Sequence, residues 1–263
     1  MTDLDILYED DDLIAVNKPS GLLVHPSWLT PRGTENLASM LKVYLQSSPY
    51  TIHRLDRPTS GVILVGKNKE IAQLMNVQFA EREVKKTYLC MCRGFVPESG
   101  IIDHPLKEKL DKIADKYADQ DKPAQEAVSA FKTLAQVELP IAVGRYPQSR
   151  YSLVEVKPET GRKHQIRRHM GHISHPIAGD SKHGDGRHNK ALRENFQLHR
   201  LMLMATEIEL VHPRTKEPLA ITAPVDQYSH QLFSQFGWQG HYPEPTPESA
   251  HQSVTEPENK DTV

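Results

Sequence analysis

The most restrictive feature of this 263-residue chain is a turn that runs directly into an apolar stretch. It reads His53-Arg54-Leu55-Asp56-Arg57-Pro58-Thr59-Ser60-Gly61, followed by Val62-Ile63-Leu64-Val65. Proline fixes its own φ and pushes Arg57 out of the helical region, so no helix can pass through this segment. Gly61 permits a tight entry into the apolar run. Four apolar residues bounded by turn residues predict a strand covered on both faces. Asp56 then sits on the rim of a rigid element, with Arg54 and Arg57 beside it. Flanking cations lower a carboxyl pKa, which predicts an ionised Asp56 suited to act as nucleophile or base and not as acid. On local chemistry alone such a cluster is more often a surface ion-pair network.

Charge distribution bears on that choice. The whole chain carries −2, which by itself argues against a polyanionic partner. Yet residues 1–12 hold six acids and no base, and residues 241–263 hold five acids against Lys260. The body between them is net basic, and local patches decide polyanion binding. No run of eighteen apolar residues predicts a membrane span, and the acidic start is unlike a signal peptide. The two cysteines, Cys90 and Cys92, share one strand face and lack the further ligands of a zinc site. Together these features predict a reduced cytoplasmic protein.

Periodicity predicts strands over 4–8 and 12–16, a helix over 34–45 and a helix over 69–82 capped by Asn68. Lys85 to Cys92 alternates as a strand, with Tyr88 on the face of Cys90 and Cys92. Further strands are predicted near 127–137, 150–157 and 201–210, and a last helix near 226–237. Residues 103–125 read as a charged insertion, and the Pro- and Glu-rich segment 241–263 as a disordered tail. Residues 1–240 are predicted to form one domain.

Two other stretches carry polar chemistry. Asn17-Lys18-Pro19-Ser20-Gly21-Leu22-Leu23-Val24-His25-Pro26 is a turn flanked by Lys18 and His25. Gly161-Arg162-Lys163-His164-Gln165-Ile166-Arg167-Arg168-His169-Met170 follows a strand and opens a helix whose inward residues are Ile166, Met170 and Ile173. Four cations in seven residues at a helix start suit a phosphate backbone, although a solvated charged face has the same composition. The histidines at 164, 169, 172, 175, 183 and 188 make no metalloprotease-type spacing, so no metal site is predicted.

Spelling adds what composition cannot. His53–Gly61 resembles the HRLDxxTSG signature of the RluA-type pseudouridine synthases, Asn17–Pro26 their NKPxGxxVHP segment, Lys86-Thr87-Tyr88 their KxY, and 161–169 their GRxHQIRxH. Ser174-His175-Pro176-Ile177-Ala178-Gly179-Asp180 is similar to the usual continuation of the last. The resemblance implies an α+β fold: a mixed, largely antiparallel sheet with flanking helices and a central catalytic cleft. It implies isomerisation of uridine to pseudouridine within RNA, with Asp56, Tyr88 and Arg167 catalytic, Arg167 pairing with the Asp56 carboxylate, and no cofactor. It implies Arg54 in the stack vacated by a flipped base; Arg57, Arg162, Lys163, His164 and Arg168 are the further RNA-binding candidates.

Thr51–Gly61, Leu110–Lys116, Gly144–Pro147 and Gly179–Asp185 look like the branch of the family that modifies uridine 65 of tRNA. That makes tRNA the expected partner of a monomeric protein. Ribosomal RNA, several RNAs, or RNA binding without chemistry are the competing expectations. Many members carry an N-terminal S4 domain, for which the early first strand leaves no room.

Overall fold

The computed structural model describes residues 4–26, 30–31, 33–108 and 123–245. The strands are β1 (Ile6–Glu9), β2 (Leu13–Lys18), β3 (Tyr50–Thr51), β4 (Ser60–Gly66), β5 (Lys85–Arg93), β6 (Ser99–Asp103), β7 (Val128–Leu139), β8 (Ser149–Pro158), β9 (Leu203–Val211) and β10 (Pro218–Thr222). The helices are α1 (Leu37–Leu45), α2 (Lys69–Ala80), α3 (Gln165–His172), α4 (Gly186–Phe196) and α5 (Gln227–Gln235). Among the described residues the strands form one ten-stranded sheet in the order β1-β2-β4-β9-β5-β8-β7-β6, with β10 beside β9 and β3 beside β4. Every pairing is antiparallel except β4 with β9. This is the mixed, largely antiparallel α+β architecture that the family resemblance implies.

β4 is buried at all seven positions, as its apolar run requires. Asn68 caps α2 by accepting from Ile71 N at 2.9 Å. α1 starts later than Thr34 because Asn36 is its cap, accepting from Ser39 N at 3.0 Å. β5 is a central strand with both faces covered, so its alternation does not separate core from solvent. Cys90 and Cys92 are free and buried, with their sulfurs 3.5 Å apart. The insertion predicted over 103–125 and the tail over 241–263 fall mostly outside the described residues; Ser99–Asp103 is a strand, β6. No helix among the described residues is long and apolar enough to cross a membrane.

The parallel pair is the hinge of the architecture. One edge of β9 is shared, meeting β4 at Met204 and Ala205 and β10 from Glu207 to Val211. One apolar core lies around β2, β4, α1 and α2, the other around β5, β8, β9, α3 and α5. Their junction depends on Gly61, which has φ +107° and whose missing Cβ would stand 2.0 Å from Ala205 O. No L-residue fits without parting the two strands. Gly61→Ala is therefore expected to cost about 4 kcal/mol or more, at the extreme of single substitutions. Urea unfolding measures this, and a loss below about 1 kcal/mol would show that the pair can relax.

Candidate active site

Asp56 leads into β4 at the junction of the two cores. Its turn is tied down from behind by Lys18, the last residue of β2. Lys18 is fully buried, and its ammonium donates to Pro19 O at 2.8 Å, Leu22 O at 3.0 Å and Arg57 O at 3.2 Å. Burial pulls its pKa down to about 8, against the opposing pull of Asp56. Arg57 Nε donates to Gly21 O at 2.9 Å, and Ser20 Oγ donates to Pro58 O at 2.8 Å. The Asn17–Pro26 segment thus holds the Asp56 turn. His53 accepts from Leu64 N at 2.9 Å, and burial, then the nearby Lys86 charge, lowers its pKa to about 3. It is a neutral brace of β4.

The cation that meets Asp56 comes from elsewhere in the chain. Arg167 Nη1 donates to Asp56 Oδ2 at 3.0 Å. The resemblance implies this pairing of Arg167 with the catalytic carboxylate; the sequence neighbours do not share in it, since Arg54 is exposed and Arg57 turns to Gly21. Arg167 is itself gripped by Asp180, Nε to Oδ2 at 2.7 Å and Nη2 to Oδ1 at 2.8 Å. The side chains of this second pair are 4% and 0% exposed. Burial would raise the Asp180 pKa; Arg167 and the His183 and Lys182 amides outweigh it and hold the carboxyl below its ordinary value. A bidentate pair fixes the plane of the guanidinium, so the remaining Nη1 can aim only at Asp56.

α3 positions Arg167 through its buried face. Gln165 accepts from Thr160 Oγ1 at 2.7 Å and Arg162 N at 3.0 Å, and donates to Val128 O at 2.9 Å. His169 lies 3.0 Å from Ser129 Oγ and 3.1 Å from His104 O. His164 caps α3 in the left-handed region at φ +55°. Its Nε2 is 3.7 Å from Asp56 Oδ2, but burial lowers its pKa to about 4, so the ring is neutral and the pair is not an ion pair at neutral pH. Other histidines of this region serve as packing: His175 bonds Arg93 O at 2.8 Å and His188 bonds Tyr151 Oη at 2.9 Å. Among the described residues no group of three or more His, Cys, Asp or Glu is arranged to hold a metal.

Asp56, Tyr88 and Arg167 line one pocket of about 120 Å³, together with Arg54, Arg162 and His164. Burial, and then the Asp56 charge, raises the Tyr88 pKa, so its hydroxyl is protonated at neutral pH. Arg54 and Arg162 are exposed, and Arg162 Nε donates to Glu126 O at 3.0 Å. Lys163 is exposed, and Arg168 lies half-buried in a neighbouring depression with His104 and His172. Three parts of this site are not legible in the sequence alone. Asp180 reads there only as a motif continuation, and Lys18 only as a polar group beside a turn. The third is Lys86, which lines the pocket two residues before Tyr88. Burial lowers its pKa, and the Phe79 ring centroid lies 5.9 Å from its Nζ.

Comparison with known proteins identifies the family. The profile of the "RNA pseudouridylate synthase" family matches residues 12–172. The chain is 51% identical to tRNA pseudouridine synthase C of Vibrio cholerae, over 90% of this chain and 97% of that one. It is 50% identical to the protein of the same name from Yersinia pestis, over 90% and 92%. The solved structure of Human RNA Pseudouridylate Synthase Domain Containing 4 superposes with a TM-score of 0.66, at 25% identity, over 88% of this chain and 92% of that one. Human RNA Pseudouridylate Synthase Domain Containing 1 shares the fold with the same score at 23% identity, over 93% and 89%. With the family profile on the same segments that build the pocket, the chain belongs to the RluA-type RNA pseudouridine synthases, the isomerases that turn uridine into pseudouridine within RNA.

Proposed function

We propose that this protein converts one uridine of tRNA, at position 65 near the acceptor stem, into pseudouridine, with Asp56 as nucleophile. The observation that carries the reading is the Asp56 carboxylate, aimed by Arg167 at 3.0 Å inside a pocket shared with Tyr88. The reaction replaces the N1–C1′ bond by C5–C1′. Atoms and electrons balance within the nucleotide, so side chains suffice and we assign no cofactor. The pocket holds one base, not a base pair, so the uridine must be flipped out of its stem, at a cost of about a few kcal/mol. Arg54, exposed at the pocket, fills the vacated stack. Arg57, Arg162, Lys163, His164 and Arg168 hold the RNA around it.

Asp56 assists departure of the uracil at C1′ and Arg167 keeps the carboxylate oriented. Tyr88, a neutral phenol, packs on the released base. It takes the C5 proton only while passing its own on through solvent, which returns a proton to N1 of the product, since a protonated hydroxyl is a weak base. We place the protein in the cytoplasm, as a monomer, with residues 1–240 as one catalytic domain.

Treating tRNA transcripts with the protein and mapping pseudouridine tests the assignment. One pseudouridine at position 65, absent when cytidine stands there, is the expected result; none, or one elsewhere, overturns it. Arg162→Ala and Lys163→Ala should each weaken binding uniformly across tRNAs and lower the salt slope by about one. An unchanged slope in a salt titration would return both side chains to the solvated face.

A further inference from the structure

The chain carries a second cationic surface that the catalytic pocket does not use. Strand β8 ends at Pro158 beside Asp56 and begins at Ser149 in a separate groove of about 860 Å³. Nine residue steps of extended chain separate the two by about 30 Å. Arg93, Arg145, Arg150 and Arg187 line this groove, with Tyr146 between them. Two of the guanidinium groups lie on exposed rings: Arg145 is 5.1 Å from the Tyr146 ring centre, and Arg150 is 5.0 Å from that of Phe95. Tyr146 is 59% exposed and Phe95 42%.

The neighbouring carboxylates are already engaged. Glu138 pairs with Arg150 at 2.6 Å, and Asp185 with Arg93 at 2.5 Å while also capping α4. Four arginines against two carboxylates leave the groove positive. Arg145 instead donates to Tyr146 Oη at 2.9 Å, and Arg187, 78% exposed, comes no nearer to Asp185 than 3.9 Å. A second cavity of about 530 Å³, lined by Arg57, Asp180, Arg193 and Arg200, adjoins the same helix α4. Cationic side chains therefore continue from the Asp56 turn, past the Arg167–Asp180 clamp, to the Arg145 loop. Exposed rings beside arginines accept stacked bases or sugars, and such cations accept phosphates.

We propose that this groove binds the sugar–phosphate backbone of a second region of the same RNA, about 30 Å from the target uridine. The inference rests on the proposed tRNA reading and sharpens it: the substrate is a folded RNA with two distant contact regions, not an isolated stem–loop. A lone hairpin reaches the pocket but not the groove.

The full-length protein carrying Arg145→Ala and Arg187→Ala tests this, with complete tRNA and a short stem–loop holding the target uridine as the two probes. Expected are roughly tenfold weaker binding of complete tRNA and a salt slope lowered by about two. Turnover at saturating tRNA and all constants for the stem–loop should match wild type. Unchanged tRNA affinity and slope would overturn the proposal. So would an equal loss on the stem–loop, which would place the two arginines in the service of the pocket. Wild-type protein that binds tRNA without modifying it would instead count against the function, leaving the affinity comparison to judge the groove.

Discussion

Asparagine at position 56 is expected to leave tRNA affinity within about threefold of wild type while lowering pseudouridine formation by at least about 10⁴-fold. The amide keeps the size of the carboxylate and can still accept from Arg167 Nη1, which lies 3.0 Å away. What it loses is the charge and the nucleophilic oxygen. The Asp56 side chain is 25% exposed, so its replacement creates no buried orphan, and stability should change by less than about 1 kcal/mol. Binding and turnover therefore separate cleanly. Release of tritium from C5 of uridine reports the new C5–C1′ bond directly, and single-turnover counting removes product release from the reading. Turnover near the wild-type rate would take Asp56 out of the chemistry.

Asp180→Asn is the second large effect, and it acts at a distance from the reacting atoms. Asp180 touches Arg167 and not the pocket's base site, so it is a positioning residue. Its carboxylate makes both bonds that fix the guanidinium plane, in a setting where Arg167 is 4% exposed and Asp180 fully covered. Removing one charge from a buried pair costs about 3–5 kcal/mol when the other is left uncompensated; Arg167 keeps Asp56 as its remaining charge partner, so the lower end of that range is expected. The freed guanidinium loses its aim at Asp56, and misplacement of about 1 Å in catalytic geometry is worth about 10²-fold in rate. The expected pattern is a lower melting temperature together with kcat reduced about 10²-fold and KM little changed. A variant that loses stability yet keeps wild-type kcat in its folded fraction would reduce Asp180 to a structural ion pair.

Asp56 and Asp180 differ in how legible they are in the sequence, for a physical reason. Asp56, Tyr88 and Arg167 are each spelled within a short local pattern, and the fold brings all three to one pocket. The pairing of charges is not local, and it is the family resemblance, not the spacing of charges, that points Arg167 at Asp56. Arg57 stands next to Asp56 in the chain, but the turn at Pro58 sends its guanidinium to Gly21 O, and the partner arrives from α3. Asp180 has no sequence signature for its grip on Arg167, because that contact exists only once α3 and the loop before α4 are packed. Lys18 likewise reads as a polar turn residue until its three carbonyl partners surround it.

The elements divide in the same way. α2 announces itself through its Asn68 cap and apolar face, with Ile71, Ala72 and Met75 buried. α4 is silent in the periodicity because it buries only Ala191 and Leu192, which makes no stripe; its one local signal is the Asp185 cap, accepting from Arg187 N at 3.0 Å. β10 is short, starts at a proline and buries Ile221 within an otherwise open run, the profile of an edge strand. The parallel contact of β4 with β9 joins distant stretches, so only Gly61 hints at it, through a close approach that no other residue permits.

The most direct test of the catalytic role of Asp56 is a structure of this protein bound to tRNA carrying 5-fluorouridine at position 65. The expected complex has that nucleotide everted into the pocket, its C1′ within about 3.5 Å of an Asp56 oxygen and its base against Tyr88. A complex in which position 65 stays stacked in its stem, with Asp56 facing solvent, would contradict it.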